Sequence, residues 1–174
     1  MSLERIRLQS LHDKVMSAEQ AAQLIEDGMI VGMSGFTRAG EAKAVPKALA
    51  EQAKKQPLKI SLITGASLGN DLDKQLTEAG VLARRMPFQV DTTLRKAINQ
   101  GKVMFVDQHL SETVEQMRKL QLQRPDIAVI EAIAITEDGH IIPTTSVGNS
   151  ASFAIFAEKV IVEINTAVNP AFEG

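Results

Sequence analysis

Four segments rich in glycine, hydroxyl or amide side chains are where this sequence could do chemistry. They are Ser34-Gly35-Phe36-Thr37-Arg38-Ala39-Gly40, Thr64-Gly65-Ala66-Ser67-Leu68-Gly69-Asn70, Asp107-Gln108-His109-Leu110 and Thr144-Thr145-Ser146-Val147-Gly148-Asn149-Ser150. Small residues let backbone N–H groups approach a carboxylate, a phosphate or a thioester carbonyl. Turn chemistry explains any one of these loops by itself, and explains four together less well. Gly35 and Gly40 have P-loop spacing, but Glu41 stands where the lysine belongs, and no G-x-G-x-x-G occurs, so phosphoryl transfer from a nucleotide is disfavoured.

Two further side chains are candidates for acid–base or nucleophilic work. Glu131 follows the apolar run 127–130 and precedes Ala132-Ile133, a setting that could raise a carboxyl pKa. A glutamate in the middle of a strand is nevertheless expected to pair with Arg or Lys rather than to attack. His109, in a loop ahead of Ser111, is expected to hydrogen-bond structurally rather than to act as a base.

Such loops need a rigid scaffold, and composition supplies one. The 174 residues are 44% hydrophobic and 23% charged, which suits one domain with its own core. A net charge of −2 and an aromatic content of 3% remove the phosphate-neutralising and base-stacking groups of a nucleic-acid binder. With no cysteine, disulfides, thiolate metal sites and a cysteine nucleophile are excluded. His12, His109 and His140 show no metal-ligand spacing, so no metal is expected. The charged N-terminus lacks a signal-peptide core and no apolar run is long enough to span a bilayer, so a cytoplasmic location is the expectation.

The elements follow from periodicity. Ser17-Ala18-Glu19-Gln20 reads as a capping box for a helix through Ile25, ended by Gly28. Residues 29–33 form a short apolar strand, and Pro46 stands in the first turn of the helix that follows. The same strand, loop and helix recur at 60–64, 65–70 and from a cap at Asp71 to Gly80. Asp91 caps 92–99, Gly101 stops it, and 103–106 is a strand. Ser111 caps a helix carrying Val114, Met117 and Leu120 on one side. Strand 127–130 follows; 133–136 and 140–142 flank Glu137-Asp138-Gly139 as a hairpin. A helix around Phe153 and Phe156 and a strand at 159–164 complete the pattern. The fold class is therefore α/β, a mostly parallel sheet with helices on both faces, with ligands expected where strands end.

Taken in order, the motifs resemble one family along nearly the whole chain. They begin with Asp27-Gly28-Met29-Ile30-Val31-Gly32-Met33-Ser34-Gly35-Phe36-Thr37, Val45-Pro46-Lys47-Ala48-Leu49 and Ser61-Leu62-Ile63-Thr64-Gly65-Ala66-Ser67. They continue through Arg85-Met86-Pro87-Phe88-Gln89, Ile130-Glu131-Ala132, Pro143-Thr144-Thr145-Ser146-Val147-Gly148-Asn149-Ser150 and Glu158-Lys159-Val160-Ile161-Val162-Glu163. The sequence resembles the acetyl-CoA hydrolase/transferase family of class I CoA-transferases. The resemblance implies a two-domain enzyme of acetate metabolism with its active site in the cleft between two related α/β halves. A glutamate in the C-terminal half attacks the acyl-CoA thioester. This chain reads as the N-terminal domain, 17–174, after an extension, 1–16, and is expected to be inactive alone, with no catalytic residue of its own.

The resemblance places Gly35, Phe36 and Thr37 at the acyl or carboxylate end of the cleft. Ser67 offers a hydroxyl to the substrate and Asn149 supports that wall. Coenzyme A is a substrate, and no cofactor is implied. Partners are acyl-CoA, a small carboxylate and the C-terminal half, with homo-oligomerisation expected from an exposed apolar face. Two positions depart from the family pattern: Ser34 replaces the first glycine of Gly-Gly-Phe, and Val90 stands where a threonine often follows Phe-Gln. Alternatives are a non-catalytic subunit of a split CoA-transferase and a sugar-phosphate isomerase of related topology.

Overall fold

The computed structural model describes residues 3–66 and 71–173. Its centre is a seven-stranded sheet made of β1 (Ile30–Met33), β2 (Ile60–Thr64), β3 (Leu82–Met86), β4 (Met104–Phe105), β5 (Ile127–Ile135), β6 (Ile141–Pro143) and β7 (Lys159–Ile164). Strand order runs β4-β3-β2-β1-β5, all parallel. β7 is parallel to β5 on the edge away from β1, since both pair with residues 127–129, and β6 is antiparallel to the later part of β5.

The helices are α1 (Ala18–Ala22), α2 (Ala44–Lys55), α3 (Asp71–Glu78), α4 (Thr92–Asn99), α5 (Leu110–Arg118) and α6 (Ser150–Phe156). Alternation along the strands sorts them onto two faces. Val31, Met33, Ile60, Leu62, Ile127 and Val129 pack with Ala22, Leu49, Leu72, Leu76 and Leu94 from α1 to α4. Ile30, Ile63, Ala128 and Ile130 face the other way, onto Met117 of α5 and Phe153 of α6. Gly32 belongs to that second face, where an added Cβ would stand 2.8 Å from Cγ of Phe153. The expected α/β architecture with helices on both faces is what the chain forms.

Several local expectations need correction. α1 ends at Ala22 rather than reaching Ile25, because Leu24 and Ile25 donate to Ala21 and Ala22 in tighter i to i−3 bonds. Its capping box at Ser17 and Gln20 is present. Asp71 is the first residue of α3 rather than the residue before it. His109, not Ser111, is the N-cap of α5, and Leu120 lies beyond that helix, 71% exposed with φ +58°. Strand 103–106 shortens to two residues.

Apolar periodicity predicts no strand at 82–86, where Arg84 and Arg85 interrupt the apolar run. β3 forms there because Arg85, fully buried, makes a two-point ion pair with the equally buried Asp73 of α3. β5 runs unbroken through Glu131 instead of dividing there, and every residue of it is buried. The hairpin expected around Glu137-Asp138-Gly139 joins β5 to β6.

Candidate functional site

The sheet changes direction of growth at β1. From β1 the chain moves outward to β4, then returns to lay β5 on the other side of β1. A crevice opens at the carboxyl ends of strands at such a switch point, and there the loop 34–40 leaves β1. Because β6 is antiparallel, it returns from the level of Ile135 to that of Ala132. The chain after Pro143 is thereby delivered beside Glu131, level with the end of β1. Two loops far apart in sequence, 34–40 and 144–150, meet for this reason.

Their contact is made by glycine. A Cβ at Gly65 would fall on the Gly35 carbonyl oxygen, and it would lie 3.6 Å from both the Asn149 nitrogen and the Gly148 Cα. A Cβ at Gly148, whose φ is +48°, would lie 3.7 Å from the Phe36 ring. Gly35, Gly65 and Gly148 therefore form one backbone junction, in which Gly65 leaves no room for a Cβ and Gly148 holds a left-handed φ that favours glycine. Phe36 and Ala39 exchange backbone hydrogen bonds across a tight turn, and Thr37 at its tip is exposed with φ +58°. Ser146 Oγ donates to the Ala39 carbonyl at 2.7 Å, tying the loops directly.

The structure thus brings Gly35, Phe36 and Asn149 together, with Thr37 next to Phe36 at the exposed tip of the same turn, while Ser67 lies outside the described residues. Asn149 is 7% exposed and is the N-cap of α6, yet its side chain makes no capping bond. Its Nδ2 is buried with no hydrogen-bond partner among the described residues. A buried amide donor without a partner is costly and rare, and this one sits at the junction of the loops.

Glu131 is committed elsewhere. Its Oε2 is ion-paired with Lys43, and its Oε1 accepts from Thr144 Oγ1 at 2.9 Å and Asn165 Nδ2 at 3.2 Å. With a side chain 3% exposed and both oxygens engaged, it is placed to hold structure, not to attack. Its backbone N–H donates to Ser34 Oγ at 2.8 Å, and that hydroxyl donates to the Gly40 carbonyl at 2.8 Å. Ser34 thus closes the 34–40 loop onto β5. Lys43 and Asn165 carry no motif that would have singled them out; Thr144 belongs to a loop already marked by composition.

His109 Nδ1 is 2.8 Å from Ser111 Oγ, an exposed structural contact at the start of α5. Gly65-Ala66-Ser67-Leu68-Gly69 carries the G-x-S-x-G spacing of a serine nucleophile. Among the described residues, His12 bonds the Ile6 carbonyl, His109 faces Ser111, and His140 sits in the hairpin turn. Among the described residues no cluster of three His, Asp or Glu could hold a metal, and no helix is long and apolar enough to cross a membrane.

Residues 2–174 match the family model described as the acetyl-CoA hydrolase/transferase N-terminal domain. The chain is 46% identical to a succinyl-CoA:acetate CoA-transferase of Clostridium kluyveri over 98% of its own length and 32% of the relative's. It is 38% identical to an acetyl-CoA hydrolase of Saccharomyces cerevisiae over 98% of its length and 34% of that protein's. The chain thus spans about a third of the length of the curated relatives it matches. Among solved structures, glutaconate coenzyme A-transferase from Acidaminococcus fermentans superposes with a TM-score of 0.66 at 16% identity, covering 86% of this chain and 68% of that one, which shows a shared fold.

Proposed function

The chain belongs to the acetyl-CoA hydrolase/transferase family, as its N-terminal domain, and from that premise we propose that it builds one wall of an acyl-CoA site in a larger enzyme. That enzyme moves coenzyme A between carboxylic acids or hydrolyses acetyl-CoA. The observation that carries the reading is Asn149, whose buried Nδ2 has no protein partner among the described residues and lies at the meeting point of the loops after β1, β2 and β6. A thioester carbonyl or carboxylate oxygen is the acceptor such a donor fits. Gly35, Phe36 and Thr37 present a close-approaching backbone and an apolar ring beside it, and Ser67 adds a hydroxyl.

In this reading the nucleophilic glutamate comes from the C-terminal half of the larger enzyme, as the family resemblance implies, and Glu131, with both oxygens engaged, is not that nucleophile. Coenzyme A is a substrate, and neither a resident cofactor nor a metal takes part. Residues 17–174 act as the domain and 1–16 as an extension, whose Ile6 bridges Ile135 of β5. A cytoplasmic location and homo-oligomerisation belong to the same proposal, the second supported by the exposed apolar side chains Val147 and Ile155 beside the loops.

The test is a hybrid in which residues 1–174 replace the matching third of the Clostridium relative. Transfer of coenzyme A from succinyl-CoA to acetate, or acyl-CoA hydrolysis, is the expected result. A folded hybrid that does neither overturns the proposal.

A further inference from the structure

A carboxylate in the middle of a strand buried along its whole length needs a reason. An apolar residue at position 131 would fill the same space without the cost of desolvating a charge. What an apolar residue could not do is hold several chain segments at once. Glu131 takes its three donors from three separate places: Lys43 between the first glycine loop and α2, Thr144 directly after β6, and Asn165 directly after β7. Lys43 Nζ also donates to the Glu41 carbonyl at 2.8 Å, so the pair fixes the backbone that leads out of the 34–40 loop. Through its own N–H, Glu131 holds the Ser34 hydroxyl that closes that loop on Gly40.

Taking loops 34–40 and 144–150 as the acyl-CoA wall proposed above, we infer that Glu131 is a positioning residue that couples them, so that Phe36, Thr37 and Asn149 keep one relative placement. It touches no substrate. Its carboxylate fixes the exit of one loop and the entry of the other, and Ser146 on Ala39 makes the second tie between them. Loss of the carboxylate loosens both loops together while the sheet below stays closed.

Amide hydrogen exchange on the 174-residue chain tests this without ligand. In Glu131→Gln, amides of 34–42 and 144–149 are expected to exchange on the order of tenfold faster, while those of β2 keep their protection relative to global stability. Lys43→Met should loosen the same two loops, and Lys43→Arg, which preserves the cation, should restore them. Ile60→Val, a destabilised control in the core, should leave the loops' relative protection unchanged. Uniform loss of protection across the chain, or loosening of one loop alone, overturns the inference. If Glu131→Gln does not fold, Thr144→Val keeps the Lys43 pair and cuts only the tie to the second loop. Exchange in 34–42 should then still rise, and unchanged exchange there overturns the coupling. The acyl-CoA reading fails separately, in the hybrid enzyme's assay.

Discussion

Glu131 and Glu163 are register partners on the parallel strands β5 and β7, and both carboxylates reach the same short segment, residues 43–45. Glu131 binds the Lys43 side chain. Glu163 accepts the backbone N–H groups of Lys43 at 2.8 Å, Ala44 at 2.9 Å and Val45 at 3.0 Å. The first turn of α2 is thus capped by a residue more than a hundred positions away, while the side chain of Lys43, the local N-cap, makes no capping bond. A negative charge there also meets the positive end of the helix dipole.

Glu163→Ala is therefore expected to lower stability by about 1–2 kcal/mol, the loss of a cap together with its dipole interaction. Urea unfolding measures it. Glu158→Ala, an exposed neighbour on the same stretch, should change stability by less than about 0.5 kcal/mol, and equal effects would contradict the capping role.

The ion pair between Asp73 and Arg85 is fully buried and the guanidinium also donates to the Met86 carbonyl. Removing one partner strands a charge in the core. Asp73→Ala is expected to cost about 3–5 kcal/mol, and the double change Asp73→Leu with Arg85→Met should recover most of it. A double variant no more stable than the single one would show that the geometry, not the charge balance, dominates.

Gly32 leaves the space that the Phe153 ring fills. Gly32→Ala should destabilise by about 1–3 kcal/mol through overpacking, and adding Phe153→Leu should relieve part of that. Additive losses in the unfolding free energies would mean the two sites do not press on each other.

The Glu137 carboxyl is held below its ordinary value of 4.5, first by a hydrogen bond from its own backbone N–H and then by the Arg7 guanidinium 3.2 Å away. A depressed carboxyl stabilises above its unfolded value and loses that contribution as pH falls through the folded one. The contact of Arg7 with the hairpin turn should thus loosen only below pH 4.5. An NMR titration should place the Glu137 midpoint under that value, and a midpoint at or above it would contradict the local bond.

Much of this scaffold is legible in the residues themselves. The apolar runs at 60–64 and 159–164 match β2 and β7, the Ser17 and Asp91 caps are used, and the Asp-Gly signal marks the β5–β6 hairpin. β3 was hidden because a buried arginine reads as solvent-exposed until its partner on another element is known. Glu131 looked like a break in a strand for the same reason. The loop residues Gly35, Phe36, Thr37 and Asn149 stood out by type, but their meeting depends on β5 pairing beside β1, a non-local contact that no local pattern encodes. Glu163 as the cap of α2 is likewise a relationship of topology, invisible to spacing.

The acyl-CoA wall stands or falls most directly on the Asn149 amide. Steady-state kinetics of the hybrid enzyme with Asn149→Ala should show kcat/KM for the acyl-CoA reduced at least about tenfold, as expected for a lost buried donor, with unfolding free energy close to that of the parent. An unchanged kcat/KM in a folded variant would contradict the account.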